Sequence, residues 1–334
     1  MCPSIAILYN QPSLSRYTAL GESAAVTGVM DEVNAVNNAL MDLGCQTTLI
    51  PLSPPLETQV TLIQKINVDL IFNLFEGFDG RPETEADVAE LLQTCGFRFT
   101  GCSAPAMSLA LDKVKAKKLL KEEGIATPEF YVVTPENLDS AYFRYPCIVK
   151  PTAEDASHGI YEDSVAYNRD SLERLVTRVC RLYGGAALAE EYIVGRELNA
   201  LVMGDKKPFV LPVSEIVYSL PQGMPRILTF SAKWNPENPY YRCSKAVCPA
   251  DLDFTTRKSI EKIALRVFNK FGCSGYARVD FRLDHKDNPF VIDVNPNPDI
   301  SPVSGAVRQA IAGGMDYTEF IERIVMYALG VTMA

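Results

Sequence analysis

Two kinds of apolar spacing alternate through the first hundred residues. Residues 4–9 form an unbroken apolar run, the pattern of a strand buried on both faces. A helical period then runs through Glu32, Val33, Val36, Ala39, Leu40 and Leu43 and stops at Gly44. Residues 45–52 form a second strand, closed by Ser-Pro-Pro, residues 57–66 a helix and residues 69–74 a third strand. Strands alternating with helices predict a parallel α/β sheet with right-handed crossovers. The glycine-rich, charged loop EGFDGRPETE (76–85) leaves the third strand and opens a helix over 84–95. Loops at the carboxyl ends of such strands carry ligands, so this one is expected to face substrate.

After residue 105 the periods change. A helix is expected from Lys113 to just before Gly124, strands over 130–133 and in PCIVKP, a helix over 171–183, and a strand–turn–strand in AALAEEYIVGRELNALVMG. Residues 207–235 suggest further strands reaching Lys233 and Trp234, where a Pro/Asn-rich segment suggests a lid. A long amphipathic helix carries Ile260, Ile263, Ala264, Val267, Phe268 and Phe271 at core spacing. It leads into a hairpin, 276–283 and 289–294, after which helices over 303–313 and 316–329 end the chain.

The hairpin holds the densest chemistry. Val279, Phe281 and Leu283 fall on one face and Arg278, Asp280 and Arg282 on the other, while Asp293 and Asn295 share a face of the second strand. Two carboxylates, an amide oxygen and an arginine suit Mg²⁺ or Mn²⁺. Charged residues on one hairpin face more often make a solvated surface. The exit through Asn-Pro-Asn-Pro-Asp argues instead for a loop shaped over a site. A second cluster, VKPTAEDASHGI (149–160), ends a buried strand in Lys150 and follows it with a small-residue loop containing Glu154 and Ser157, a way to hold phosphates.

Bulk properties narrow the classes. A net charge of −9 over 334 residues argues against a nucleic-acid footprint. No apolar run reaches the ~18 residues of a spanning helix, and the start runs directly into a strand without a basic leader, so the expected compartment is the cytoplasm. The nine cysteines show no metal-ligand spacing and read as reduced thiols. The two histidines, His158 and His285, give little support to a histidine-based nucleophilic mechanism. Neither a dinucleotide glycine fingerprint after the first strand nor a Walker-type phosphate loop occurs.

Taken in order, FNLFEG, RFTGCSAPAMSLALDK, PCIVKPTAEDASHGI, LAEEYIVGRELNALVMG, SAKW, CPADL and GYARVDFR…FVIDVNPNPDIS resemble the ATP-grasp superfamily, in its D-alanine–D-alanine ligase branch. The resemblance implies a parallel α/β preATP-grasp domain (1–107) and a two-lobed α+β ATP-grasp fold (108–195 and 196–334). It implies an ADP-forming ligase that joins a carboxylate to an amine through an acylphosphate, with ATP and two Mg²⁺ ions. Residue by residue, Lys113 and Lys150 match phosphate-binding lysines; Glu190, Glu191, Tyr192 and Ile193 the adenine segment; Glu197 the ribose acid. Lys233 and Trp234 match the lid pair, and Asp280, Asp293 and Asn295 the metal ligands. Arg278 matches the arginine that steadies the tetrahedral oxyanion, with Ser157 and Lys233 beside the reacting groups. Glu76, Asp299, Ser301 and Ser304 fall on the substrate side. The expected partners are small amino acids or peptides and a second copy of the chain.

Several positions depart from the branch, all on the amino-acid side. The segment after the first strand, YNQPSLSRYTALGESAAVTG, lacks the usual substrate-loop motif, with Glu22 as a possible replacement for its acid. The phosphate loop reads Glu154-Asp155-Ala156-Ser157, Trp234 stands for a tyrosine, and Asp299 stands for a turn glycine. True D-alanyl-D-alanine synthesis and ligation of other substrates both remain open, as does a nucleotide-binding module without turnover.

Overall fold

A computed structural model of the chain describes residues 3–12, 23–78, 81–140, 142–152 and 157–331. Glu22 and residues 153–156 of the phosphate loop lie outside the described residues.

Three sheets organise the fold. The first contains β1 (Ser4–Asn10), β2 (Gln46–Leu52) and β3 (Leu70–Leu74), all parallel in the order β2-β1-β3. The second is antiparallel, in the order β4-β7-β5-β6, from β4 (Phe130–Val133), β5 (Cys147–Pro151), β6 (Val165–Ala166) and β7 (Ala187–Glu191). The third contains β8 (Arg196–Gly204), β9 (Phe209–Val210), β10 (Ser214–Tyr218), β11 (Ser244–Val247), β12 (Gly275–Leu283) and β13 (Pro289–Asn295). Its order is β11-β10-β8-β12-β13, with β9 paired to β8. The helices are α1 (Ser23–Asp42), α2 (Leu56–Gln64), α3 (Thr84–Thr94), α4 (Ala104–Leu111), α5 (Lys113–Glu122) and α6 (Arg169–Tyr183). They continue with α7 (Phe230–Trp234), α8 (Pro239–Cys243), α9 (Phe254–Lys270), α10 (Gly305–Ala312) and α11 (Tyr317–Ala328).

The first sheet is apolar on both faces, as its unbroken run requires. Ala6, Leu8 and Ile71 pack against Ile63, Val88 and Leu92. Ile5, Ile7, Leu70 and Phe72 face Val33, Val36 and Leu40 of α1. That second core also takes Leu201 and Met203 of β8, Tyr276 of β12, Val307 of α10, and Phe320, Ile321 and Ile324 of α11. Segments far apart in the sequence therefore bury one another. The opposite face of the third sheet, through Leu198, Ala200, Val202, Ala277, Val279 and Phe281, packs on Ile260, Ala264, Val267 and Phe268 of α9.

The strand–turn–strand expected at 187–204 is present, and its two strands join different sheets: β7 pairs β4 and β5, whereas β8 pairs β9, β10 and β12. Gly195 lets the chain cross between sheets, because a Cβ there would lie 1.9 Å from the Leu283 carbonyl oxygen. The lid segment is partly helical. Lys233 and Trp234 end α7, capped where the Ala232 N–H donates to Thr229, and Asn238 caps α8.

Candidate active site

β12 grades from core to site along one face. Tyr276 is fully buried; Arg278 and Asp280 follow at two-residue steps, and Arg282 ends the row at 3% exposure. The solvated-face alternative fails at Arg282, whose guanidinium is fully engaged. It donates to the backbone oxygens of Ile193 (3.0 Å), Arg226 (2.6 Å) and Gly195 (3.3 Å), donates to Glu197 (2.9 Å), and lies over the Tyr192 ring at 5.0 Å.

Opposite Asp280 in the ladder stands Asp293, and opposite Arg278 stands Asn295, with a bulge between Asp280 and Phe281. Arg278 grips Asp280 through two bonds, 2.7 and 2.9 Å. Burial disfavours its charge, but Asp280 holds the guanidinium above its ordinary range, so it stays cationic. Lys113, at the start of α5, reaches Asp293 at 3.5 Å. Burial pushes the Asp293 carboxyl up, yet Lys113 and then Lys150 hold it below the usual carboxylate range.

A buried triad forms the neighbouring wall. Glu190 at the end of β7 is bridged by Lys150 (2.5 Å) and by Lys117, which also donates to Thr127 (2.9 Å). Burial lowers the Lys117 ammonium below the ordinary lysine range against the pull of Glu190. Burial would raise the Glu190 carboxyl, but the two lysines hold it down. Lys117 was missed in the sequence. It stands four residues after Lys113, one helical turn along the same face, which was the available signal.

Between these two walls lies one cavity of about 150 Å³, which Lys117 and Thr127 do not line. Lys113, Lys150, Ser157, Glu190, Glu191, Tyr192, Ile193, Glu197, Lys233, Arg278, Asp280, Asp293 and Asn295 all face it. Apolar surface from Ile148, Ile160, Ile227, Leu228 and Ile292 completes it. Glu197 is fixed by Arg282 and by the Tyr218 hydroxyl at 2.7 Å. Lys233 enters from α7, its ammonium lowered by burial and by repulsion from Arg278. The next residue, Trp234, turns roughly 100° round the helix and packs on Gly28 of α1 instead of lining the cavity.

The substrate-side residues sit beyond this cavity. Asp299 and Glu76 are exposed, whereas Ser301 and Ser304 are buried. Asp299 accepts from the Ser301 N–H (2.7 Å), and the Ser304 hydroxyl caps α10 by accepting from the Val307 N–H (3.2 Å). The loop from Asn295 is tied down by Asn297, which donates to Phe75 O (3.2 Å) and Glu85 (2.9 Å). Among the described residues no helix is long and apolar enough to cross a membrane.

Residues 119–326 match the family model described as D-ala D-ala ligase C-terminus. The chain belongs to the D-alanine–D-alanine ligase family. It is similar to the D-alanine–D-alanine ligase of Syntrophotalea carbinolica, with 32% identity over 87% of this chain and 88% of the relative. It is 31% identical to the enzyme of that name from Gluconobacter oxydans, over 88% of this chain and 92% of the relative. In structure it is similar to the Bacillus anthracis D-alanine–D-alanine ligase complexed with ATP, at a TM-score of 0.72 and 19% identity, covering 98% of each chain. Family membership and the fold thus agree with the three-sheet architecture: an N-terminal parallel α/β sheet followed by the ATP-grasp sheets.

Proposed function

We propose that the cavity binds ATP and that the chain is an ADP-forming ligase joining the carboxylate of one small amino acid or peptide to the amine of another. The observation that carries this reading is the meeting in one cavity of Lys113, Lys150 and Lys233 with Arg278, Asp280, Asp293 and Asn295. Three ammonium groups suit a chain of phosphates. The apolar walls beside Glu191, Tyr192 and Ile193 suit a base, and Glu197, held by Arg282 and Tyr218, suits the ribose hydroxyls.

The hard oxygen set of Asp280, Asp293 and Asn295 fits Mg²⁺ or Mn²⁺, which takes one or two carboxylates and completes its shell with phosphate oxygens and water. The cations now beside both carboxylates, Arg278 and Lys113, mark where positive charge is wanted. A pair of such ions would neutralise charge on the transferring phosphoryl group.

In the first step a substrate carboxylate oxygen bonds to the γ-phosphorus. The bond from that phosphorus to the β–γ bridging oxygen breaks, and ADP leaves. Lys150 and Lys233 hold the phosphates through this transfer. The amine of the second substrate then attacks the acyl carbon, and Arg278 steadies the resulting oxyanion. Collapse breaks the carbon–oxygen bond to phosphate, the nitrogen loses its proton, and an amide remains. No protein nucleophile is required, in keeping with two histidines in the chain. The same reading has the protein act in the cytoplasm as a homodimer on freely diffusing substrates.

The test is phosphate release from ATP and Mg²⁺ with a panel of D- and L-amino acids. Release that needs both ATP and an amino-acid pair is expected. ATP binding with no release across the panel would leave a nucleotide-binding module and reject the ligase.

A further inference from the structure

Lys117 belongs to the buried triad, yet the nucleotide reading gives it no task. It is 2% exposed, its ammonium pairs with Glu190, and it donates to the Thr127 hydroxyl at 2.9 Å. It does not line the cavity, whereas Lys150 and Glu190 do. The pairing is divided by oxygen: Lys150 meets Oε1 of Glu190 at 2.5 Å, and Lys117 meets Oε2. One carboxylate therefore holds two cations, one facing the ligand space and one behind it.

Local structure explains the division. Lys113 opens α5, and Lys117 follows one helical turn later. Lys113 faces the cavity and reaches Asp293 at 3.5 Å. Lys117 is held back by Thr127, in the segment between α5 and β4. The helix thus delivers one lysine to each of two carboxylates.

Glu190 sets a conflict that Lys117 resolves. A phosphate chain that reaches Lys150 also approaches this carboxylate, and like charges repel strongly in a buried site. With Lys150 as its sole partner, Glu190 would cancel the lysine's charge, and phosphate would compete with the carboxylate for one ammonium. With Lys117 present the carboxylate is neutralised from the far side. The triad then carries one positive unit, and the ammonium that faces the ligand is the one able to use it.

We propose that Lys117 is a positioning residue: by neutralising Glu190 from behind the cavity, it frees the charge of Lys150 for the phosphates of the nucleotide. It acts through Glu190 and Lys150 and does not touch the ligand. The inference rests on the reading that the cavity binds ATP.

The test separates phosphate from base. Titration calorimetry on the full chain with Mg²⁺, at neutral pH and below the melting temperature of each variant, compares a β,γ-imido ATP analogue with adenosine, which lacks the phosphates. In Lys117→Met the analogue should bind about tenfold or more weakly, the scale of one charge-assisted hydrogen bond, while adenosine affinity shifts by less than about threefold. In Lys117→Met/Glu190→Gln no carboxylate remains to capture Lys150. The ratio of analogue to adenosine affinity should return to within about threefold of the native value. Equal weakening of both ligands in Lys117→Met, loss of adenosine binding included, marks a merely structural role and overturns the proposal. So does an unchanged analogue affinity, or a double variant that does not recover the ratio. Failure of the nucleotide reading shows separately, as a native chain that binds neither ligand.

Discussion

Replacing Glu190 by glutamine tests the buried triad most directly. Glu190, Lys117 and Lys150 have side-chain exposures of 2%, 3% and 8%. One carboxylate between two lysines leaves a formal charge of one positive unit; the substitution leaves two, unscreened by water. Breaking a buried ion pair from one side costs about 3–5 kcal/mol, because the partner is stranded. At the low end of the usual dependence, about 2 °C for each kcal/mol, the melting temperature should fall by roughly 6–10 °C at pH 7. The sign of the pH dependence follows from Lys117, whose ammonium burial already lowers. Without Glu190, Lys117 loses its proton still more readily folded than unfolded. The unfolded chain then binds more protons, and stability of the variant rises with pH up to the ordinary lysine range. Thermal melts of native chain and variant from pH 7 to 10 should therefore converge. A deficit below about 1 kcal/mol, or one that stays constant over that range, would refute the picture of a charge-starved pair of lysines. Glu191→Gln, one residue on and half-buried, serves as control and should cost little.

Three other outcomes are expected. Arg278→Met should lower kcat by about 10²–10³, the usual loss for one oxyanion donor, while an ATP analogue still binds by calorimetry; unchanged turnover would remove Arg278 from the chemistry. Arg282→Gln should weaken nucleotide binding and stability together, since Ile193, Gly195, Glu197 and Arg226 all accept from its guanidinium; a loss of kcat with nucleotide affinity intact would contradict that. Gly28→Ala adds a helix former worth about 1 kcal/mol, yet its Cβ would meet Trp234 at 3.0 Å. Stability should hold or rise while turnover drops several-fold, because displaced α7 carries Lys233; parallel changes in both would argue against this coupling.

Much of the frame was legible. The parallel sheet declared itself through runs apolar on both faces, and the β12–β13 hairpin through strict alternation. What period could not show was where a glycine sends the chain. Gly195 reads as a turn between strands, and only the pairing of those strands reveals a crossing between sheets. The five-residue α7 is too short to print a helical period. In the site, the lysines and carboxylates at strand ends stood out, because a charge closing an apolar run is conspicuous. Lys117 and Arg282 did not, because a buried charge on an amphipathic element looks like any solvated one until its partners, Glu190 and Glu197, are in place.

The shared core has a consequence for how the chain comes into being. Ile5, Ile7 and Phe72 leave the ribosome early, as does α1 with Val33, Val36 and Leu40, but Phe320, Ile321 and Ile324 of the same core are made much later. Until then this core lacks the side chains of α11 and part of its apolar surface stays open. Such surfaces invite association between nascent chains. The antiparallel sheet of β4 to β7, whose core needs only residues 133–189, is free to close long before. The order of assembly then differs from the order of synthesis: the sheet of β4 to β7 can close first, and the core shared by β1, α1 and α11 only later.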